Sequence, residues 1–154
     1  MTPQQRLREL GLELPAVPRA VGAYVPAVRT GDLIVTAGQL PTRDGGLIAA
    51  GKVPADISLD AASAAARQAC LNALAAVSAE AGGLDSVARV VRLNVFVNSS
   101  PGFTDQAAVA DGASELLVAL FGDPGRHTRC ALGAAELPLN APVELDLTVQ
   151  VKQV

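Results

Sequence analysis

A strict alternation of apolar and polar residues near the end of the chain is the feature that most constrains the fold. Aliphatic side chains occupy every second position, at Val143, Leu145, Leu147, Val149 and Val151. The residues between them are polar. Because successive side chains of a strand point to opposite faces, residues 143–152 are predicted to form a β-strand with one buried and one polar face. Such a strand requires a sheet that is covered on one side.

Other periodic segments predict the rest of this sheet and its cover. Further strands are predicted at 23–29, 33–39, 87–97 and 128–134, the first two joined as a hairpin at residues 30–32. Helices are predicted at 58–80 and 105–121, where apolar residues recur at three- and four-residue steps before a glycine. This order favours an α+β fold with both helices on one face of the sheet. Self-association is expected to cover the other face.

The start of the chain has the signals of a short helix. Thr2 is a predicted N-cap, Pro3 fits the first helical position and Gln5 completes a capping box. We therefore expect residues 1–20 to form a helix and a lead-in extension to one domain that covers residues 1–154. These residues do not resemble a secretory leader, and no long apolar run is present, so a cytoplasmic location is expected.

Composition narrows the possible partners. The 154 residues include 12 basic and 15 acidic ones, for a net charge of −3, and only 3% are aromatic. An acidic chain with few aromatic rings offers little to phosphates or to stacked bases, so nucleic acid is disfavoured as a partner. Cys70 and Cys130 lie far apart and the single histidine is at no ligand spacing from either, so no metal site is predicted.

One glycine-rich segment imitates a phosphate-binding motif. Gly46, Gly51 and Lys52 have the required spacing, but Val53 and Pro54 follow instead of Ser or Thr. A working motif of this kind also opens a helix directly, whereas the predicted helix begins later. We therefore interpret residues 41–57 as a mobile loop that carries turns.

The candidate chemistry lies in residues 125–152. Arg129 and Glu144 are predicted on neighbouring extended segments, where they could form a structural ion pair or hold a small carboxylate. His127 could have a direct role or could be a surface or interface residue. Cys130 should point away from Arg129 and is predicted to be a small buried residue.

A resemblance favours the functional interpretation. Thr128-Arg129-Cys130, Leu137-Pro138 and 143–146 (Val-Glu-Leu-Asp) resemble, with the same spacing, the C-terminal signature of the Rid (reactive intermediate imine deaminase) family of YjgF-like proteins, also called the endoribonuclease L-PSP family. Residues 22–24 and 36–41 are similar to two further segments of that family. The resemblance extends over about residues 20–152.

This resemblance implies a chorismate-mutase-like fold assembled as a trimeric barrel, with ligand sites between subunits of a homotrimer. It also implies hydrolysis of reactive 2-imino acids, such as 2-aminoacrylate, to 2-keto acids and ammonia without a cofactor. Arg129 would hold the substrate carboxylate and Glu144 would handle water or a proton. Tyr24, Gly38 and the backbone near Ala131 would line the site.

Three positions differ from the family pattern. Ala37 and Ala131 stand where many members have serine and cysteine, and Asp111 is near the place of a frequent asparagine. A less polar cleft suits a bulkier substrate, or a ligand that is bound without turnover. Two hypotheses therefore remain: a deaminase, and a non-catalytic trimeric protein that binds small carboxylates. The endoribonuclease name is disfavoured by the acidic charge and the scarcity of aromatic residues.

Overall fold

The computed structural model describes residues 1–153, which form a mixed sheet with two long helices on one face. The helices are α1 (Pro3–Glu9), α2 (Leu59–Ala81) and α3 (Gln106–Phe121). The strands are β1 (Ala27–Thr30), β2 (Leu33–Thr36), β3 (Thr42–Arg43), β4 (Gly46–Leu47), β5 (Val87–Asn98), β6 (Thr128–Ala134) and β7 (Val143–Val151). The predicted α+β class is confirmed.

The main sheet has the strand order β1-β2-β7-β5-β6. All neighbouring pairs are antiparallel except β5 and β6, which run parallel and are connected through α3. The strand at 143–152 is therefore central, as its strict alternation requires. The first strand begins at Ala27 and not at residue 23, because the chain bends over residues 21–24 and Pro26 has no N–H for a ladder.

Both long helices end and begin as their sequences predict. The Ser58 side chain caps α2 by accepting from the N–H of Ala61 at 3.1 Å, and Gly82 ends the helix with φ +74°. Left-handed backbone of this kind favours glycine. Small residues dominate the buried side of α2, so α2 and α3 approach closely over the sheet.

The core lies between these helices and one face of the sheet. The apolar residues of the alternating strand are fully or almost fully buried there, and Leu93 and Val95 of β5 join them. The helix α1 adds Leu7, which is also fully buried, and Arg6 Nη1 donates to the carbonyl of Leu120 at 3.3 Å. The predicted N-terminal helix is thus packed on the end of α3.

Within residues 1–153, no helix lies over the second face of the sheet. Four apolar side chains on this face are half-buried or exposed: Val28, Val35, Phe96 and Leu132. Cys130 also lies on this face and is exposed, so the prediction that it is buried is wrong. Its direction was predicted correctly, but the face to which it points is open, and Arg92 Nη2 lies 3.1 Å from its sulfur.

The segment 41–57 is more ordered than predicted. It contains the short β3–β4 ladder, and Val53 is fully buried. The Lys52 side chain is not directed into an open phosphate-binding loop. Its Nζ instead donates to Asn98 Oδ1 at 2.9 Å and pairs with Glu136 at 3.2 Å. None of the helices within residues 1–153 is both long enough and apolar enough to cross a bilayer.

Candidate functional site

Arg129 and Glu144 lie on opposite faces of the sheet within one chain. Arg129 is opposite Leu93 on β5, and Leu93 points toward the helices. Glu144 is opposite Phe96, on the face without helices. Strand β5 also separates their two strands, so the expectation that they occupy neighbouring segments is wrong. A single chain therefore does not bring the two side chains together.

Arg129 is held by residues of α3. Its Nη1 donates to Asp111 Oδ1 at 2.8 Å and to Ser114 Oγ at 3.1 Å. We call Asp111, Ser114, His127 and Arg129 the Arg129 cluster. The Arg129 side chain is 24% exposed, and its Nε and Nη2 have no hydrogen-bond partner among residues 1–153. Guanidinium N–H groups that remain unpaired near the protein surface are suited to bind a carboxylate.

His127 fixes the direction of the hydrogen bonds in this cluster. Its Nδ1 lies 2.7 Å from the carbonyl oxygen of Gly125, which can only accept, so Nδ1 carries the proton in the neutral ring. Nε2 is then the acceptor for the Ser114 hydroxyl, at 2.9 Å. The oxygen of Ser114 is left to accept from Arg129. The geometry therefore supports a positioning role for His127, which holds the Ser114 hydroxyl in place.

Glu144 packs directly against Gly38. A Cβ on Gly38 would lie 2.3 Å from Glu144 Oε1, so this approach depends on the absence of a side chain at residue 38. Burial raises the pKa of Glu144, and the nearby Asp146 raises it further. A half-buried carboxyl group with a raised pKa can carry a proton closer to neutral pH than an exposed one.

Tyr24 and Gly38 line a pocket of about 600 Å³, which we call the Tyr24 pocket. The lead-in segment 15–21 forms one of its walls, and Thr42 and Arg43 of β3 form another. The Tyr24 hydroxyl accepts from the N–H of Val21 at 3.3 Å. Two of the predicted binding residues therefore lie together, next to Glu144.

Sequence reasoning missed the polar wall of the Tyr24 pocket. Asn72 is 1% exposed, and its Nδ2 donates to the carbonyls of Leu40 and Thr42 at 2.9 and 3.0 Å. Gln68, one turn earlier, accepts from Arg43 at 2.9 Å. An available signal was the pair of amides four residues apart on the buried stripe of an alanine-rich helix, where polar groups need partners.

The remaining predicted position, Ala131, lies on the same side of β6 as Arg129 and packs against the core. It does not line the Tyr24 pocket. The predicted site residues therefore form two groups in one chain. Arg129 and Ala131 lie on β6, whereas Tyr24 before β1 and Gly38 after β2 lie near Glu144 of β7. Among residues 1–153, no three His, Cys, Asp or Glu side chains are arranged to hold a metal ion.

Comparison with known proteins identifies the family. The family model for YjgF/chorismate mutase-like endoribonucleases matches residues 4–150. The chain belongs to this family. Its resemblance to the Rid and YjgF-like proteins is thus confirmed, and the match includes most of the N-terminal helix.

Relatives within the family have different descriptions. Protein TCP17 of Trypanosoma cruzi is 45% identical over 146 residues, which cover 94% of this chain and 91% of that protein. The 2-iminobutanoate/2-iminopropanoate deaminase of Escherichia coli K12 is 33% identical over 129 residues, covering 84% and 88%. A crystal structure of an Agrobacterium tumefaciens protein of unknown function is 41% identical, with a TM-score of 0.91 and coverage of 98% and 94%. The family thus includes proteins named as enzymes, and this chain is similar to them over most of its length.

Proposed function

We propose that the protein is a cofactor-independent deaminase that hydrolyses small 2-imino acids to 2-keto acids and ammonia. The observation that carries the proposal is the state of Arg129, whose Nε and Nη2 are free to bind a carboxylate while Nη1 is held by Asp111 and Ser114. The E. coli relative named 2-iminobutanoate/2-iminopropanoate deaminase supports the same chemistry. A bidentate pair between a guanidinium and a carboxylate also fixes the orientation of the rest of the substrate.

The proposed site is completed between copies of the chain in a homotrimer. Two features support association. Strand β6 is an edge strand and would leave backbone groups unpaired in an isolated chain. The face without helices also exposes aliphatic side chains, with Val35 at 42% and Leu132 at 53%. In such an assembly, the Arg129 cluster of one copy would face the Tyr24 pocket and Glu144 of the next.

The proposed reaction makes limited demands on the protein. Arg129 holds the substrate carboxylate, which leaves the adjacent iminium carbon as the electrophile. Water adds to that carbon and forms a carbinolamine as Glu144 accepts a proton from the water. Glu144 gives this proton to the nitrogen. The C–N bond then breaks to release ammonia, while the hydroxyl gives its proton back to Glu144 and becomes the oxygen of the keto acid. Tyr24 bounds the substrate, and backbone groups at Gly38 and Ala131 position the water.

An assay with freshly generated imino acids tests this proposal. An amino-acid oxidase would supply the substrate, and keto-acid release would be compared with and without the protein. Arg129→Ala should lower kcat/KM by about 100-fold, because it removes the charged partner of a bound carboxylate. Glu144→Gln should lower kcat by about 100-fold as well, through the loss of proton transfer.

Surface residues of the same type provide matched controls. Arg126 is exposed, lies three residues before Arg129 and forms an ion pair with the exposed Asp123. Arg126→Ala should retain the rate of the unmodified protein. A rate equal to that of buffer for the unmodified protein, over a panel of imino acids, would reject the proposal.

A mixing experiment tests whether the site is shared between subunits. Arg129→Ala and Glu144→Gln chains would be co-expressed, so that hybrid trimers form. If the two residues act from different chains, random assembly restores about a quarter of the sites. If both act from one chain, the hybrids stay as inactive as their parents. The assembled mass, from light scattering, should be three times 15.6 kDa.

A second candidate function is binding of a small carboxylate without turnover. Ala37 and Ala131 favour it, because neither side chain can donate or accept a hydrogen bond. Calorimetry against keto acids would then show binding that Arg129→Ala abolishes and Glu144→Gln leaves intact, with no reaction in the imine assay. Absence of binding to the whole panel would reject this candidate.

A further inference from the structure

The carboxylate of Asp111 gives the Arg129 cluster two adjacent charges of opposite sign. Asp111 Oδ1 lies 2.8 Å from Arg129 Nη1, and the Asp111 side chain is 53% exposed. Its second oxygen, Oδ2, has no hydrogen-bond partner among residues 1–153. The free Nε and Nη2 of Arg129 and the free Oδ2 of Asp111 are therefore both available to one ligand.

The opposite charges of Arg129 and Asp111 influence which kind of ligand should bind most tightly. A carboxylate at Arg129 would also be close to the Asp111 carboxylate, and like charges at short distance disfavour binding. A ligand that also carries a positive nitrogen next to its carboxylate would avoid this repulsion and gain a charge-assisted hydrogen bond to Oδ2. In 2-amino and 2-iminium acids, the nitrogen and the carboxylate are attached to the same carbon, which suits two adjacent protein charges.

The geometry of the cluster keeps both charges in place. Nη1 of Arg129 has two hydrogens, and Asp111 and Ser114 each accept one. Ser114 is held in turn by His127, which is fixed by the carbonyl of Gly125. Side chains held in this way present their free edges without a further entropic cost.

We propose that Asp111 is a specificity-determining residue that selects ligands with a cationic nitrogen beside the carboxylate, over ligands with a carboxylate alone. This inference rests on the proposed function, in that Arg129 is the carboxylate anchor. It assigns to Asp111 the recognition of the protonated nitrogen of an imino acid substrate. It also predicts that the keto-acid product, which has lost that nitrogen, is held less tightly than the substrate.

Calorimetry with alanine and pyruvate tests this inference, since the two probes differ at the 2-position by the ammonium group that Asp111 is proposed to read. The unmodified protein should bind alanine more tightly than pyruvate. Asp111→Asn should shift the ratio of the two affinities toward pyruvate by about tenfold, since one charge-assisted hydrogen bond to alanine is lost and one repulsion of pyruvate is removed. Asp111→Glu, which retains the charge, should keep the order of the unmodified protein.

Two controls separate the failure of this inference from the failure of the proposed function. Asp123→Asn removes an exposed carboxylate from the ion pair with Arg126 and should leave the ratio unchanged. If Arg129→Ala abolishes binding of both probes but Asp111→Asn leaves their ratio unchanged, Asp111 is only a surface ion-pair partner and the inference is overturned. If Arg129→Ala leaves the binding of both probes intact, the anchor itself is misassigned, and the inference fails together with the proposed function.

Discussion

The two faces of the sheet differ in what covers them, and the candidate site follows from that difference. On the face beneath the helices, Leu93, Leu145 and Leu147 are fully buried. On the opposite face, the alternate positions of β7 are polar and β5 contributes Arg92 and Asn94 beside Phe96. Asn94 Nδ2 donates there to Asp146 Oδ1 at 2.9 Å. The same two strands thus supply a packed core on one side and a set of charged and amide groups on the other.

Strand β6 differs from β5 and β7 in how completely helices cover the side that faces them. Arg129 points to the side of the helices, as Leu93 does, but it lies on the edge strand, where α3 alone is above it. The cover is incomplete there, so a charged side chain can pair with α3 and still keep unpaired donors toward the outside. The Arg129 cluster therefore lies at the edge of the core, whereas Glu144 lies on the face without helices.

We expect the largest difference in unfolding free energy between leucine variants on the two faces. Leu147→Ala removes a side chain that is fully buried under the helices and should lower the free energy of unfolding by about 2–5 kcal/mol. Leu132→Ala changes a leucine that is 53% exposed on the other face and should cost less than about 1 kcal/mol in a dilute, dissociated sample. Urea denaturation measures both.

Protein concentration should affect the stabilities of these two leucine variants differently. If copies of the chain cover the second face, the cost of Leu132→Ala should grow as the protein concentration rises, because the folded assembly then gains from burial of that side chain. The cost of Leu147→Ala should remain constant. Equal costs for the two variants at low concentration would contradict the difference between the faces.

Two glycines provide a second and smaller contrast. A Cβ on Gly112 of α3 would lie 2.0 Å from the backbone oxygen of Ser63 in α2, so Gly112→Ala must push the two helices apart. We expect a loss of about 1–3 kcal/mol of stability. The three atoms nearest to a Cβ on Gly38 belong to the Glu144 side chain, which can rotate, so Gly38→Ala should cost less than about 1 kcal/mol.

Thermal unfolding of the two glycine variants measures their stability, and the imine assay adds a separate readout. Gly38→Ala should lower activity although the fold persists, because the carboxylate of Glu144 is displaced. Full activity of a stable Gly38→Ala protein would show that the position of Glu144 does not matter for turnover. A stable Gly112→Ala protein would show that the helices have room to separate.

Local patterns predicted the elements well, because the patterns and the packing depend on the same residues. The alternation at 143–151 reflects burial of one face, and Ser58 and Gly82 mark the ends of α2 through their own hydrogen bonds and backbone angles. The short β3–β4 ladder and the buried Val53 were missed, since the sequence of that segment shows only turn residues. Their order comes from contacts with distant residues such as Asn98.

The candidate site was less predictable because it depends on the faces of the sheet and on helix placement. The resemblance to the family signature selected Arg129 and Glu144, but their opposite directions follow from register with β5, which the sequence does not state. Ser114 was missed because a serine in a helix has no signal until His127 and Arg129 lie beside it. Asp111 differs from the family pattern in sequence, but its ion pair with Arg129 depends on the placement of α3 over β6, which the sequence does not show.

The smallest expected effect is the pH dependence that Glu144 gives to stability. Burial, with a further contribution from Asp146, raises the pKa of Glu144 in the folded chain. A carboxyl group whose pKa is higher in the folded state favours folding while it is protonated, and this contribution is lost as the pH rises through the folded pKa. Glu144→Gln removes this dependence, so the variant should have a slightly higher Tm than the unmodified protein at neutral pH. The two should converge in acid, below the ordinary pKa of a glutamate.

Thermal unfolding from about pH 4 to about pH 8 measures this difference. Glu80→Gln, at an exposed position near the end of α2, is the matched control for removal of one carboxyl group. An opposite sign, with the unmodified protein the more stable one at neutral pH, would mean that the carboxylate of Glu144 faces a positive charge that a single chain does not supply. In the proposed trimer, Arg129 of a neighbouring copy would be that charge. The sign of a small Tm difference, measured with and without dissociation, would therefore decide whether the two faces of the sheet are electrostatically independent or are joined across a subunit boundary.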